Sequence, residues 1–117
     1  MKATKPIEVS SYQTATGAIP IEEWLDSLDK KSRSRLLARI AKVRAGNLGD
    51  WSALSETGGV CELREFFGPG FRIYFGREAE NVVLLLCGSD KSDQKKTIKL
   101  ATKYWQDYQA GSSDRTE

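Results

Sequence analysis

Two arginines, Arg64 and Arg72, flank Gly68-Pro69-Gly70 in the stretch ELREFFGPGFRIYF (62–75). A guanidinium stays charged at any working pH and grips phosphate or carboxylate through two parallel hydrogen bonds. Two aromatic residues, Phe66 and Tyr74, share the stretch and could stack on nucleic-acid bases. Glu62 adds a carboxylate able to take a proton. Further along, CGSDKSDQKK (87–96) places Lys91 in a Gly/Ser loop and Lys95 and Lys96 just after it. If a helix begins there, its free N–H groups also favour anions. The chemistry these residues suit is phosphate binding. A plainer reading stands beside it: Glu62 and Glu65 neutralise the two arginines, Asp90 and Asp93 act as caps, and the lysines are merely solvated.

What is missing narrows the options. The chain has 117 residues and no histidine, which removes the commonest general base and proton shuttle. Its two cysteines, Cys61 and Cys87, are far apart, so a zinc site is not expected, nor is any cofactor. Catalysis would fall to Lys, Arg, Tyr, Asp, Glu, Ser or a metal held by carboxylates. No run is long and apolar enough for a membrane span, and MKATKPIEVS has no apolar signal core. The expected location is the cytoplasm, with both thiols reduced. Net charge is only +2, yet 30–44 holds seven basic residues and no acid, while 91–103 holds five against one acid. A surface polarised in this way suits a polyanionic partner, although solvated helix faces are often just as basic.

The elements that must hold these residues can be read from periodicity. Residues 7–12 (IEVSSY) predict a short strand. Pro20 suits the first turn of a short helix carrying Ile21, Trp24, Leu25 and Leu28. A second helix over 30–45 buries Leu36, Leu37, Ile40 and Val43 and turns Arg35, Arg39 and Lys42 outward, ending at Gly46 or Asn47. Residues 46–59 form a loop with a short extended piece at 51–54. Strands at 60–67 and 71–75 make a hairpin, a polar turn spans 76–81, and 81–87 is a third strand. The run VVLLL does not alternate, so that strand belongs in the centre with both faces covered. A closing helix over 92–109, capped by Ser92, buries Ile98, Ala101, Trp105 and Tyr108. The order β-α-α-β-β-β-α predicts an α+β fold: an antiparallel sheet of about four strands in a single domain, 1–109, with 110–117 a disordered tail.

The hairpin register decides which way the arginines face. A Gly-Pro-Gly loop, or a five-residue loop in the same register, pairs Phe67 with Phe71, Glu65 with Ile73 and Leu63 with Phe75. One face then carries Leu63, Phe67, Phe71, Ile73 and Phe75. The other carries Glu62, Arg64, Phe66, Arg72 and Tyr74, with Glu65 the misfit on the apolar side. A slip of one residue would bury Arg72 on the apolar face, at too high a cost.

As a set, GNLGDW, ELREFFGPGFRIYF and LLLCGSDKSDQ resemble the RelE/ParE toxin superfamily, in particular its HigB-like branch of addiction-module killer proteins. The resemblance runs from IPIEEWLDSL (19–28) to the closing helix. It implies two N-terminal helices over an antiparallel sheet. It implies a ribosome-dependent endoribonuclease that cuts messenger RNA in the A site. It also implies a neighbouring helix-turn-helix antitoxin, through which alone operator DNA is bound. By position, the family's basic residue on the second strand matches Arg64, its arginine after the hairpin turn matches Arg72, and its basic residue in the last glycine-containing loop matches Lys91. Ribonuclease members carry a lysine where this chain has Glu62, and a tyrosine roughly where it has Thr97.

On that resemblance Arg64, Arg72 and Lys91 are the catalytic candidates, while Phe66, Tyr74, Lys95 and Lys96 bind RNA. Cleavage without a metal uses the substrate 2′-OH as nucleophile. Its base would be Glu62, the Tyr74 phenolate or a ribosomal group. Two other classes remain: ParE-type relatives share the fold and act on DNA gyrase by protein binding, and a third reading is RNA or ribosome binding without catalysis.

Overall fold

Val82 to Leu86 offer no polar face, so a strand made of them needs cover on both sides. The computed structural model describes residues 5–114, with side chains through 111, and places that strand as expected. Strand β5 (Val82–Asp90) lies between β4 (Phe71–Ala79) and β1 (Glu8–Ser11). Strands β3 (Val60–Glu65) and β2 (Trp51–Ala53) complete a five-stranded sheet ordered β1-β5-β4-β3-β2. Helices α1 (Pro20–Asp26), α2 (Lys30–Arg44) and α3 (Gln94–Asp114) pack around it, with a 3₁₀ turn, Lys91–Asp93, leading into α3. The α+β class is as read from periodicity.

The two faces of the sheet bury different partners. Ile21 and Leu25 of α1 and Leu36, Ile40 and Val43 of α2 cover Leu63, Phe71, Ile73, Phe75, Val83 and Leu85. Ala101 and Trp105 of α3 cover Val60, Tyr74, Leu84, Leu86 and Cys87 on the opposite face. Consecutive residues of β5 thus go to opposite cores, which is why VVLLL shows no alternation of polarity. Each fully buried aliphatic side chain contributes about 1.5–3 kcal/mol.

Local chemistry sets the helix ends. Asp29 caps α2 by accepting from the Ser32 N–H at 3.0 Å. Gly46, at φ +101°, follows its end. Pro20 opens α1, with Glu22 and Glu23 in the first turn. Before α3 the cap is Asp90 and not Ser92. Its Oδ1 accepts from the N–H groups of Ser92 at 2.9 Å and Asp93 at 3.3 Å. A carboxylate oxygen outcompetes the hydroxyl, which itself donates to Asp90. Helix α3 also continues through Asp114, beyond the expected end at 109, and 115–117 lie outside the described residues.

Four further expectations need correction. The sheet is mixed, because β1 runs parallel to β5 with Glu8 opposite Val82. The polar turn at 76–81 shrinks to Glu80 and Asn81, since β4 extends to Ala79. Leu37 is 49% exposed while Arg39 is buried in α2, because Arg39 is caught between the loop at Gly49 and the hairpin. The hairpin register differs by two residues: Glu65 faces Phe71, Arg64 faces Arg72 and Leu63 faces Ile73. The turn closes with the Gly70 N–H donating to the Phe67 carbonyl at 3.0 Å, which draws Phe66 and Phe67 into the loop. A shift of two preserves the side-chain period, so every residue keeps its expected face.

Two glycines let tryptophans lie flat on the sheet. A Cβ on Gly76 would meet the Trp105 ring at 2.1 Å, and one on Gly88 would meet Trp24 at 2.3 Å. Trp105 is held there by donating from Nε1 to the Gly58 carbonyl at 3.0 Å. Gly76→Ala is therefore expected to cost about 1–3 kcal/mol by overpacking. Denaturant unfolding measures this, and an unchanged midpoint would mean that Trp105 shifts freely.

Candidate functional site

Strand alternation puts Glu62, Arg64, Arg72 and Tyr74 on the sheet face that α3 covers. Cover is complete over Tyr74, which is 0% exposed. It ends at the first residue of α3, Gln94, whose Nε2 donates to Oε2 of Glu62 at 2.9 Å. The two arginines lie at this end of the face. They stand directly opposite each other across β3 and β4, a placement that like charges disfavour.

Glu62 makes that placement tolerable. It is 2% exposed, and its Oε1 lies 3.8 Å from Nη1 of Arg64 and 3.9 Å from Nε of Arg72. A buried charge needs such partners. The carboxylate is shut away from solvent and serves as counterion to both guanidiniums.

Arg64 is the better compensated of the two. Its Nη2 and Nε donate to Oδ1 of Asp50 at 2.8 and 3.3 Å, and its Nη1 donates to Oγ of Ser52 at 3.1 Å. The hydrogen bond from Arg64 holds the Asp50 carboxyl below its usual range and raises the arginine in turn. Arg72 is 6% exposed. Its Nη1 donates to the Phe71 carbonyl at 3.1 Å, while its buried Nε has no hydrogen-bond acceptor. Phe66, 71% exposed, lies over this guanidinium at 5.8 Å.

The other expected site residues divide. Lys91 comes to the hairpin turn, where its Cβ would lie 3.6 Å from a Cβ on Gly70. Lys95 and Lys96 are exposed in the first turn of α3. Tyr74 shares the arginine face as expected but cannot stack on a base, because α3 buries its ring. Its hydroxyl lies 3.3 Å from Oγ of Ser89, and burial, opposed by that hydrogen bond, pushes its pKa up to about 12. Burial and the raised pKa both disfavour a phenolate base at neutral pH. Thr97, which stands roughly where the resemblance would put a tyrosine, donates its hydroxyl to the Asp93 carbonyl at 2.9 Å.

Glu65, the misfit on the apolar face, has a partner there: Nε of Arg39 at 3.0 Å. Asp50, Ser52, Gln94 and Arg39 all escaped the sequence reading. The signals for Asp50 were its place in GNLGDW and beside the short extended piece that forms β2. That strand pairs Trp51 with Leu63 and so delivers Asp50 to Arg64.

The Asp50–Arg64 pair has a pH signature. Its contribution is present while Asp50 is ionised and is lost as pH falls through a folded-state pKa below the ordinary 3.8. A carboxyl NMR titration is expected to give that low midpoint, and Arg64→Ala to return it toward 3.8. An equal midpoint in both proteins would mean that the pair is broken in solution.

Comparison with known proteins places the chain. The family model described as Phage derived protein Gp49-like (DUF891) matches residues 23–105. That span includes the hairpin, both arginines and Lys91. A Haemophilus influenzae relative, called only an uncharacterized protein, is 37% identical over 84 residues, which is 71% of this chain and 83% of the relative. Among the described residues no helix is long and apolar enough to cross a membrane. This chain belongs to the phage-derived Gp49-like family, a toxin-like family of addiction modules.

Proposed function

We propose that this protein is the toxin of a type II toxin–antitoxin system, a HigB-like member of the RelE/ParE superfamily that cuts messenger RNA on the ribosome without a metal. The observation that carries this reading is the Arg64–Arg72 pair. Two guanidiniums face each other in register, and the buried Nε of Arg72 has no acceptor. That Nε faces only the Glu62 carboxylate, at 3.9 Å, so the guanidinium is weakly held from within and its charge is left for a phosphate at its outer edge. Toxin-like family membership supports the reading.

The RNA 2′-OH attacks the adjacent phosphorus, a 2′,3′-cyclic phosphate forms, and the 5′-oxygen leaves and takes up a proton. Negative charge gathers on the non-bridging and leaving oxygens. Arg72 and Arg64 hold the non-bridging oxygens, with Glu62 and Gln94 fixing the guanidiniums from behind. Lys91, exposed beside the turn, assists the leaving oxygen or a neighbouring phosphate. Glu62 and Tyr74 are both buried, so the proton of the 2′-OH goes to a ribosomal group or to water. The chain's own contribution is electrostatic preorganisation. A helix-turn-helix antitoxin is the partner that would neutralise it and carry it to operator DNA.

Primer extension on a translated message tests this reading. Codon-dependent cuts are expected with the wild-type protein. Arg72→Ala is expected to reduce them by about 10²–10³, and Arg72→Lys keeps a charge to separate folding from phosphate geometry. Tyr74→Phe is expected to cut normally, because the phenol is buried and neutral. Intact RNA together with blocked gyrase supercoiling would overturn the proposal in favour of a ParE-type toxin.

A further inference from the structure

Beyond the arginine pair, α2 and the loop before β2 enclose a groove along the hairpin. It consists of two adjoining hollows of about 250 Å³ each, which share Arg39, Lys42 and Glu65. One runs on to Asp50, Arg64 and Phe66, the other to Arg35 and Phe67. Each is smaller than the roughly 300 Å³ at the low end of small-molecule pockets. Their shape suits a strand laid along a channel.

The charges in this channel are unequal. Its two carboxylates are engaged, Glu65 by Arg39 and Asp50 by Arg64. Arg39 is buried and engaged twice, since its Nη2 also donates to the Asp50 carbonyl at 3.2 Å. Arg35 and Lys42 are exposed, and neither has a carboxylate in ion-pair contact. Arg35 stacks instead on Phe67, 3.9 Å from the ring centroid. Arg35, Arg39 and Lys42 stand at i, i+4 and i+7, so two uncompensated cations line one edge of the channel.

Phe66 joins this channel to the arginine pair. It lines the hollow beside Arg64 and also lies over Arg72. Its ring is among the most exposed large apolar groups of the described residues. Cations tracking a backbone, interrupted by an open aromatic face, are the pattern that holds single-stranded nucleic acid. A duplex keeps its bases stacked and offers none to such a ring, and an acidic protein segment has no base at all.

We propose that this channel carries single-stranded RNA on one side of the scissile phosphate. Arg35 and Lys42 take backbone phosphates, the outer face of Phe66 stacks one base, and the next phosphate sits at Arg64 and Arg72. The ligand assignment rests on the nuclease reading, and it makes the substrate an extended strand several nucleotides long.

Fluorescence anisotropy with 2′-O-methyl RNA, which lacks the nucleophilic hydroxyl, tests the path apart from any cutting. A strand of about ten nucleotides is expected to bind wild-type protein at least about tenfold tighter than one of about three. The double variant Arg35→Ala/Lys42→Ala should lose that advantage and reduce the salt slope by about 1.4. Phe66→Ala should weaken the longer strand about tenfold. Circular dichroism confirms that these surface variants fold. An undiminished length advantage in the double variant would overturn the path, and so would an equal loss measured with an RNA duplex. Channel-dependent binding supports the path even if primer extension finds no cuts, an outcome that would remove only the nuclease reading.

Discussion

Glu62 is the carboxylate on which this end of the sheet depends. Antiparallel pairing forces Arg64 and Arg72 to face each other, and the counterion they share offsets part of their repulsion. The counterion is buried, so it needs a further donor, and the first residue of α3 supplies one through Gln94. Three carboxylates thus serve three arginines unequally. Glu65 serves Arg39, Asp50 serves Arg64, and Glu62 is divided between Arg64 and Arg72. Arg72 comes out least compensated and keeps an unpartnered N–H. Of the three, the arginine proposed to hold the scissile phosphate is the one to which the fold gives least internal neutralisation.

The two helical layers decide how much of the sheet is left for function. Trp24 rests on Gly88 from one side and Trp105 on Gly76 from the other, so both layers sit close against the central strands. Cover by α3 reaches from Gly76 past Tyr74 and stops at Glu62. One strand face is therefore divided into an apolar part, which holds the helix, and a cationic part beyond it. Phe66, carried on the hairpin turn, lies over the boundary of that second part and links it to the basic side of α2.

Much of this architecture was legible in the residues. The hairpin, the central position of VVLLL, the stripe of Leu36, Ile40 and Val43, and the shared face of Arg64 and Arg72 all follow from periods of 2.0 and 3.6. The observed register lies two residues from the one the turn residues predict, yet the faces are the same, because alternation depends only on parity. Alternation puts Tyr74 on the correct face but does not show that this face is covered, since no local pattern announces where a helix from the far end of the chain will lie. Arg39 read as a solvated cation and proved to be buried, because its partners come from the loop at Gly49 and Asp50 and from Glu65.

The division has a physical basis. Steric limits on the backbone and the side-chain period act within a few residues, so the order of elements, the hairpin faces and the capped helix starts were already set by the chain itself. Which carboxylate neutralises which arginine, whether a phenol meets solvent, and where an aromatic ring comes to rest depend on contacts between distant residues. Asp50 meets Arg64, Glu62 meets Gln94 and Tyr74 meets Ser89 only after the sheet has formed and α3 has packed on it. Two arginines on one face were in the sequence. A pair in which one guanidinium is well neutralised and the other keeps one N–H without a hydrogen-bond acceptor was made by the tertiary structure.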